Sequence, residues 1–209
     1  MASSLQQTAL EVILQQIPRW ATVNIDVIGG LARLHHNPAG RSTGDVNFIV
    51  ECREDETFDV STLIRQDLES FDSTAFYQGG DGFRHRQPAS HDGQQTSHRV
   101  PFFGRACFPY IPPSLQQVQR IRPGVVPYIQ LSDLVVFKMH CCGLRSETQS
   151  KFDVLDAHEM LSAVGQPLIL TPEQQDAVMG RLVDMTTHGP RHVTAQWWRQ
   201  QLSLPPNFN

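Results

Sequence analysis

The stretch "VIGGLARLHHNPAGRSTGDVNFIV", Val27 to Val50, decides how this chain is read. It leaves one β-branched segment, passes a double glycine, a short basic segment and a polar loop, and enters a second apolar segment. The first segment, "TVNIDVI" at 22–28, alternates apolar and polar residues and reads as a strand. Gly29 and Gly30 allow a sharp turn with no Cβ to clash. "LARLHH" then fits a short helix and "DVNFIV", 45–50, the next strand. Residues two apart on a strand share a face. Position 45 therefore puts a carboxylate, and position 47 an amide, on one side of it.

Outward from this stretch, Leu5, Ala9, Val12, Ile13 and Ile17 recur at helical spacing behind a Ser3 or Ser4 cap, and Pro18 ends that helix. "VSTLIRQDLESF" predicts a second helix over 60–71. The segment from Gly79 to Arg99 is rich in glycine and histidine and has no apolar period, so it is expected to be a long surface loop or flap. "VPFFGRACFPYIP" has strand character until Pro109, Pro112 and Pro113 stop it. Four helical segments follow, "SDLVVFKMHCCGL", "TQSKFDVLDAHEMLSAV", "TPEQQDAVMGRLVDMTT" and "PRHVTAQWWRQQL", two of them with proline near the first turn. Strands first and helices later predict an α+β fold. The expected organisation is an α/β core over 1–131 and a helical region over 132–209 packed on it as one compact unit. There is no internal repeat.

The bulk numbers exclude several classes. In 209 residues, 17 Lys and Arg stand against 21 Asp and Glu, a net charge of −4, without the basic surplus of a nucleic-acid-binding protein. No apolar run approaches the length of a membrane span, and the first residues lack the pattern of a secretory signal. Cys52, Cys107, Cys141 and Cys142 form no CxxC pair, which fits a reduced, cytoplasmic protein. His140 beside Cys141 and Cys142 has the wrong spacing for structural zinc. The expected partner is a small molecule, with neither nucleic acid nor membrane, and the oligomeric state is left open.

In order, Gly29-Gly30, Leu31-Ala32, Arg41-Ser42 and Asp45-Val46-Asn47-Phe48 resemble the nucleotidyltransferase fold, most nearly the AbiEii-like toxins and their uncharacterised fungal relatives. "DLVVFKMHCCGLRSETQSKFDVLDAHEML", 133–161, is similar to that family's helical segment, with Lys138, Arg145, Lys151 and Asp153 at matching places. The resemblance spans about residues 22–161 and implies a mixed sheet with a C-terminal helical region. It also implies a two-magnesium site of three acids. A DxD pair and an acid from a neighbouring strand would align a nucleotide's phosphates. Here Asp45 is present, Asn47 replaces the second acid, and Cys107 aligns with the third; no acid lies between Val100 and Pro113. The acid set is degraded, and one aspartate cannot offset two divalent cations.

The candidate catalytic residues are Asn47, Arg41, Lys138 and Asp45. The candidate substrate contacts are Gly29, Gly30, Ser42, His35, Cys107 and Tyr128. Several have an alternative reading. Asp45 could hold a metal or pair with Arg41, Asn47 could be a satisfied core amide, and Cys107 could be a small core residue. Lys138 could snorkel or serve the cleft, and Lys151, Asp153 and Asp156 read as a solvated or ion-paired face. Three functions stay open. The first is a metal-independent cyclase or isomerase, possibly pericyclic (Diels–Alder type) and in secondary metabolism, needing no cofactor and no metal. The others are a metal-dependent nucleotidyltransferase and a non-catalytic toxin- or antitoxin-like binding protein.

Overall fold

The computed structural model describes residues 20–52, 60–87 and 96–205. The helix expected over Leu5–Ile17 lies outside them. The chain forms two compact units, one of residues up to 32, 42–107 and 113–129, the other of 33–41, 108–112 and 130 onward.

The first unit is built on a mixed four-stranded sheet in the order β6-β2-β1-β7, with β1 at Asn24–Ile28, β2 at Asn47–Glu51, β6 at Phe102–Phe103 and β7 at Gln116–Gln117. β1 runs antiparallel to β2, pairing Ile28 with Asn47 and Asn24 with Glu51. β6 runs parallel to β2, pairing Phe48 with Phe102. All five residues of β1 are buried, as expected for a central strand covered on both faces. Phe48 stacks on Phe102 at 5.3 Å between ring centres. The helix over Val60–Phe71 buries Ser61, Ile64 and Leu68, which is the helical period of its apolar side.

Two expectations are corrected in this unit. The segment after Gly79 is not one long loop. β3 (Phe76–Gly79) and β4 (Gly82–Arg86) form a hairpin, and β5 (Ser97–Arg99) adds to β4 as the third strand of a separate sheet; residues 88–95 lie outside the description. The alternation was hidden because β4 buries Phe83 and His85, and a histidine in an inward slot carries no apolar signal. Likewise, the strand expected around Cys107 is limited to Phe102–Phe103, and Arg105–Cys107 is a 3-10 turn.

A helix over Gly29–His36, α1, starts at the double glycine itself and carries its second half into the second unit. The helix over Val60–Phe71 is α2. In the second unit, α3 (Leu131–Cys141) is buried continuously from Asp133 to Met139. α4 (Glu147–Val164) is capped by the Ser146 hydroxyl, which accepts from the Gln149 N–H, and ends at Gly165 with φ 70°. Gly165 thus supplies the left-handed residue that commonly ends a helix. "TPEQQDAVMGRLVDMTT" yields two helices instead of one, α5 (Pro172–Met179) and α6 (Leu182–His188), separated at Gly180–Arg181. Thr171 and Gln174 make a reciprocal capping box with Pro172 in the first turn of α5. Thr194 caps α7 (Ala195–Gln201), which buries Trp198 completely. Among the described residues no helix is long and apolar enough to cross a membrane, and all four cysteines are free.

Candidate functional site

Gly29 has φ 71°, and a Cβ there would run into the Asn47 side chain. At Gly30 a Cβ would lie 2.6 Å from the Thr43 Cβ. The two glycines therefore serve a close approach as well as a turn. They let the 43–47 segment lie against the first turn of α1, with the Asn47 amide on the Gly29 backbone. Three contacts with the β5 edge hold that segment. The Val46 N–H donates to the Arg99 carbonyl at 2.9 Å, His98 Nδ1 lies 3.0 Å from the Gly44 carbonyl, and the Asp45 carboxylate is 3.9 Å from Arg99. The His98 contact requires the proton on Nδ1, because a carbonyl only accepts.

The structure thus brings Gly29, Gly30 and Asn47 together, with Asp45 on the adjoining loop. Tyr128 bridges to Val27, two residues before Gly29. Ser42 is exposed, as is Cys107 in its 3-10 turn beyond β6. The neighbours of Asn47 across the sheet are Ile28 in β1 and, by continuation of the β2–β6 register, Pro101, whose carbonyl accepts the Phe48 N–H. Neither is acidic. Asp45 pairs with Arg99 and not with Arg41, and its side chain remains 40 % exposed.

Arg41, Lys138 and His35 belong to the second unit. His35 is exposed on α1; partial burial, with His36 beside it, lowers its pKa. Arg41 and Lys138 meet on one carboxylate. Asp156, about 1 % exposed, accepts from Arg41 Nε and Nη2 at 3.1 and 3.0 Å, pairs with Lys138 Nζ at 2.8 Å, and lies 3.4 Å from Arg33 Nε. Lys138 also donates to Asp153 at 2.7 Å, and Arg145 closes the row on Asp153 at 3.1 Å. Burial pushes the Asp156 pKa up, but the Arg41 hydrogen bonds and the Lys138 charge outweigh it and hold the carboxyl below its ordinary value. Arg33 is fully buried, donates to the Arg41 carbonyl and faces Glu159 at 3.7 Å. A Cβ at Gly40 would overlap its guanidinium. Arg41 is 47 % exposed and lies 4.7 Å over the Phe152 ring.

The alternatives are decided here. Lys138 does not snorkel outward; it lies buried between two aspartates. Asp153 and Asp156 follow the ion-paired reading, about 2 % and 1 % exposed and paired with Lys138, Arg145 and Arg41. Sequence reasoning also passed over Arg33. Its signal was available in part, because Asp153 and Asp156 share the stripe of α4 that carries Val154, Ala157, Met160 and Leu161, all buried. Acids inside an apolar stripe call for buried cations.

No protein-family model matches the chain, and no curated protein matches it. Among solved structures, the chain is similar to the crystal structure of an antigenic nucleotidyltransferase-like protein from Paracoccidioides brasiliensis. The TM-score is 0.63 at 14% sequence identity, covering 96% of this chain and 94% of that one. The fold is thus a nucleotidyltransferase-like α+β fold, with a mixed sheet and a C-terminal helical region. At this identity the likeness carries the fold alone.

Proposed function

We propose that this nucleotidyltransferase-fold protein binds a small molecule around Asn47 without the two-metal acid set, and that it is related in sequence pattern to the AbiEii-like group and its fungal relatives. The observation that supports this reading is the setting of position 47. An amide packs on the Gly29 backbone there, flanked across the sheet by Ile28 and Pro101. Among the described residues, no group of three or more His, Cys, Asp or Glu is arranged to hold a metal ion. The chemistry open to such a site is a cofactor-free isomerisation or cyclisation, including a pericyclic one. It needs a substrate held in its reactive conformation and a neutral donor on an activating carbonyl. In this proposal Asn47 is that donor. Gly29, Gly30, Ser42, Tyr128 and Cys107 contact the substrate, and Asp45 orients the loop through Arg99. Within the second unit, Lys138 is the fixed charge that holds Arg41's carboxylate partner.

One observation favours a second reading. Asp45 is 40 % exposed and held only by a 3.9 Å pairing, so it is available to a magnesium ion delivered with a nucleotide. Thermal shift with manganese separates the two. The wild type should not shift, while Asn47→Asp, with carboxylates at both 45 and 47, should gain stability. At metal concentrations about 100 times Kd that gain is about 2.7 kcal/mol. A strong shift of the wild type would favour the transferase.

A further inference from the structure

We propose that a pocket within the second unit, apart from the residues above, binds an organic ammonium compound with an apolar body. The cavity measures about 710 Å³ and is lined by Pro109, Tyr110, His140, Glu173, Asp176 and Arg181, among others. That volume lies in the range of small-molecule sites.

Its wall is specific in what it offers. Glu173 and Asp176 stand three residues apart on α5, so their carboxylates share a face. Both are exposed; the Glu173 carboxylate already accepts from Thr171 and from its own backbone N–H, while Asp176 enters no ion pair among the described residues. The positive group of the wall, Arg181, is already directed to Asp184 at 3.5 Å. His140 Nδ1 faces the Ala177 carbonyl at 3.5 Å, which puts the proton on Nδ1 and leaves Nε2 as an acceptor. Burial lowers the pKa of His140, which keeps the ring neutral. The Tyr110 hydroxyl is committed to the buried Asp133, donating at 2.7 Å, and Gln174 donates to the same oxygen at 2.7 Å. Tyr110 is therefore fixed in place, and its ring with Pro109 supplies an apolar surface.

The wall carries two carboxylates against one guanidinium, which is turned to Asp184, so the fitting ligand is a donor with positive charge. A bare metal ion does not fit, because these groups form no cluster of three ligands. An ammonium group can reach carboxylates that are too far apart to share a metal, and its carbon body can rest on the aromatic ring, where a cation also gains from the ring's negative face.

The test is calorimetry at pH 7.5 with phenethylamine, phenethyl alcohol and phenylpropionate, which differ in charge on a shared apolar body. The amine should bind saturably, the alcohol more weakly, and the carboxylate not at all. Asp176→Asn and Glu173→Gln should each weaken amine binding about fivefold, the effect of a partly exposed charge pair. Glu147→Gln, an acid of the same unit outside the pocket, should leave it unchanged. Equal binding of amine and alcohol, no saturable amine binding, or an unchanged affinity in the Asp176→Asn, Glu173→Gln double variant would each overturn the assignment. Both acids are exposed, so these variants keep the fold.

Discussion

Replacing Asp156 with Asn tests how the second unit is held together. The substitution keeps the shape of the side chain and removes the negative charge on which Arg33, Arg41 and Lys138 converge. Breaking a buried pair by removing one partner costs about 3–5 kcal/mol, because a charge is left uncompensated. The lower end applies, since Lys138 keeps Asp153 and Arg33 keeps Glu159, while half-exposed Arg41 can return to water at a cost of at most about 1 kcal/mol. About 3 kcal/mol in a chain of this length lowers Tm by roughly 6–12 °C. Lys138→Met is the contrasting variant. Asp153 keeps Arg145 and Asp156 keeps Arg33 and Arg41, and the new side chain joins Leu134 and Val135 on an apolar helix, so the cost should stay below that of Asp156→Asn. The folded pKa of Asp156 lies below its ordinary value near 3.8. Its contribution is therefore complete above that value and is lost as pH falls through the folded pKa. The gap between wild type and Asp156→Asn should accordingly be constant from pH 7 to 5 and narrow below pH 4. Calorimetric unfolding across that range reads both quantities. A cost below about 1 kcal/mol for Asp156→Asn, or a cost for Lys138→Met above that of Asp156→Asn, would show that Asp156 is not the centre of these buried ion pairs.

Other consequences can be measured in the same preparations. Gly29→Ala forces a side chain onto a φ of 71° and into the Asn47 amide, and should cost about 1–3 kcal/mol in urea unfolding; a neutral effect would remove the close approach from the account. Cys142 is fully buried, and burial first, then the nearby acids, pushes its thiol up to about 12. Alkylation read by peptide mass spectrometry should label exposed Cys107 in the native protein and Cys142 only after unfolding. His85 is lowered by burial and then by His98, partly opposed by Asp72. A histidine whose folded pKa lies below its unfolded value contributes stability above about pH 6.5 and loses it as pH falls. His85→Phe should therefore flatten the decline in urea midpoint between pH 6.5 and 5.5, and an unchanged slope would show that His85 does not titrate with unfolding.

α2 was legible because its burial at Ser61, Ile64 and Leu68 follows the helical period. β1 and α3 are buried at consecutive positions and were legible from β-branched content and from a long apolar run, and the α+β order follows from these elements. The β3–β4 hairpin was illegible because one of the two inward slots of β4 holds His85, whose ring lies tilted at 4.8 Å from Phe76. At the candidate site, the double glycine could be read as a turn, but its contact with Asn47 depends on how β1 and β2 pair. Lys138 was ambiguous because a lysine on an apolar helix has two physical outcomes. The choice between them was made by Asp153 and Asp156, fifteen and eighteen residues further along the chain. Cys107 was expected on a strand because Phe102 and Phe103 precede it. Proline and glycine limit that strand to two residues, and the cysteine falls in the turn that follows.

Whether this fold works without the metal-binding acids its resemblance implies is decided by titrating MgATP and MgCTP into the wild-type protein by calorimetry. With Asp45 as the carboxylate beside Asn47 among the described residues, binding should be no tighter than about millimolar, a free energy of about −4 kcal/mol, and should not respond to EDTA. Micromolar binding of either nucleotide that disappears when EDTA removes the metal would contradict the account and establish Asn47 as a working part of a metal-dependent site.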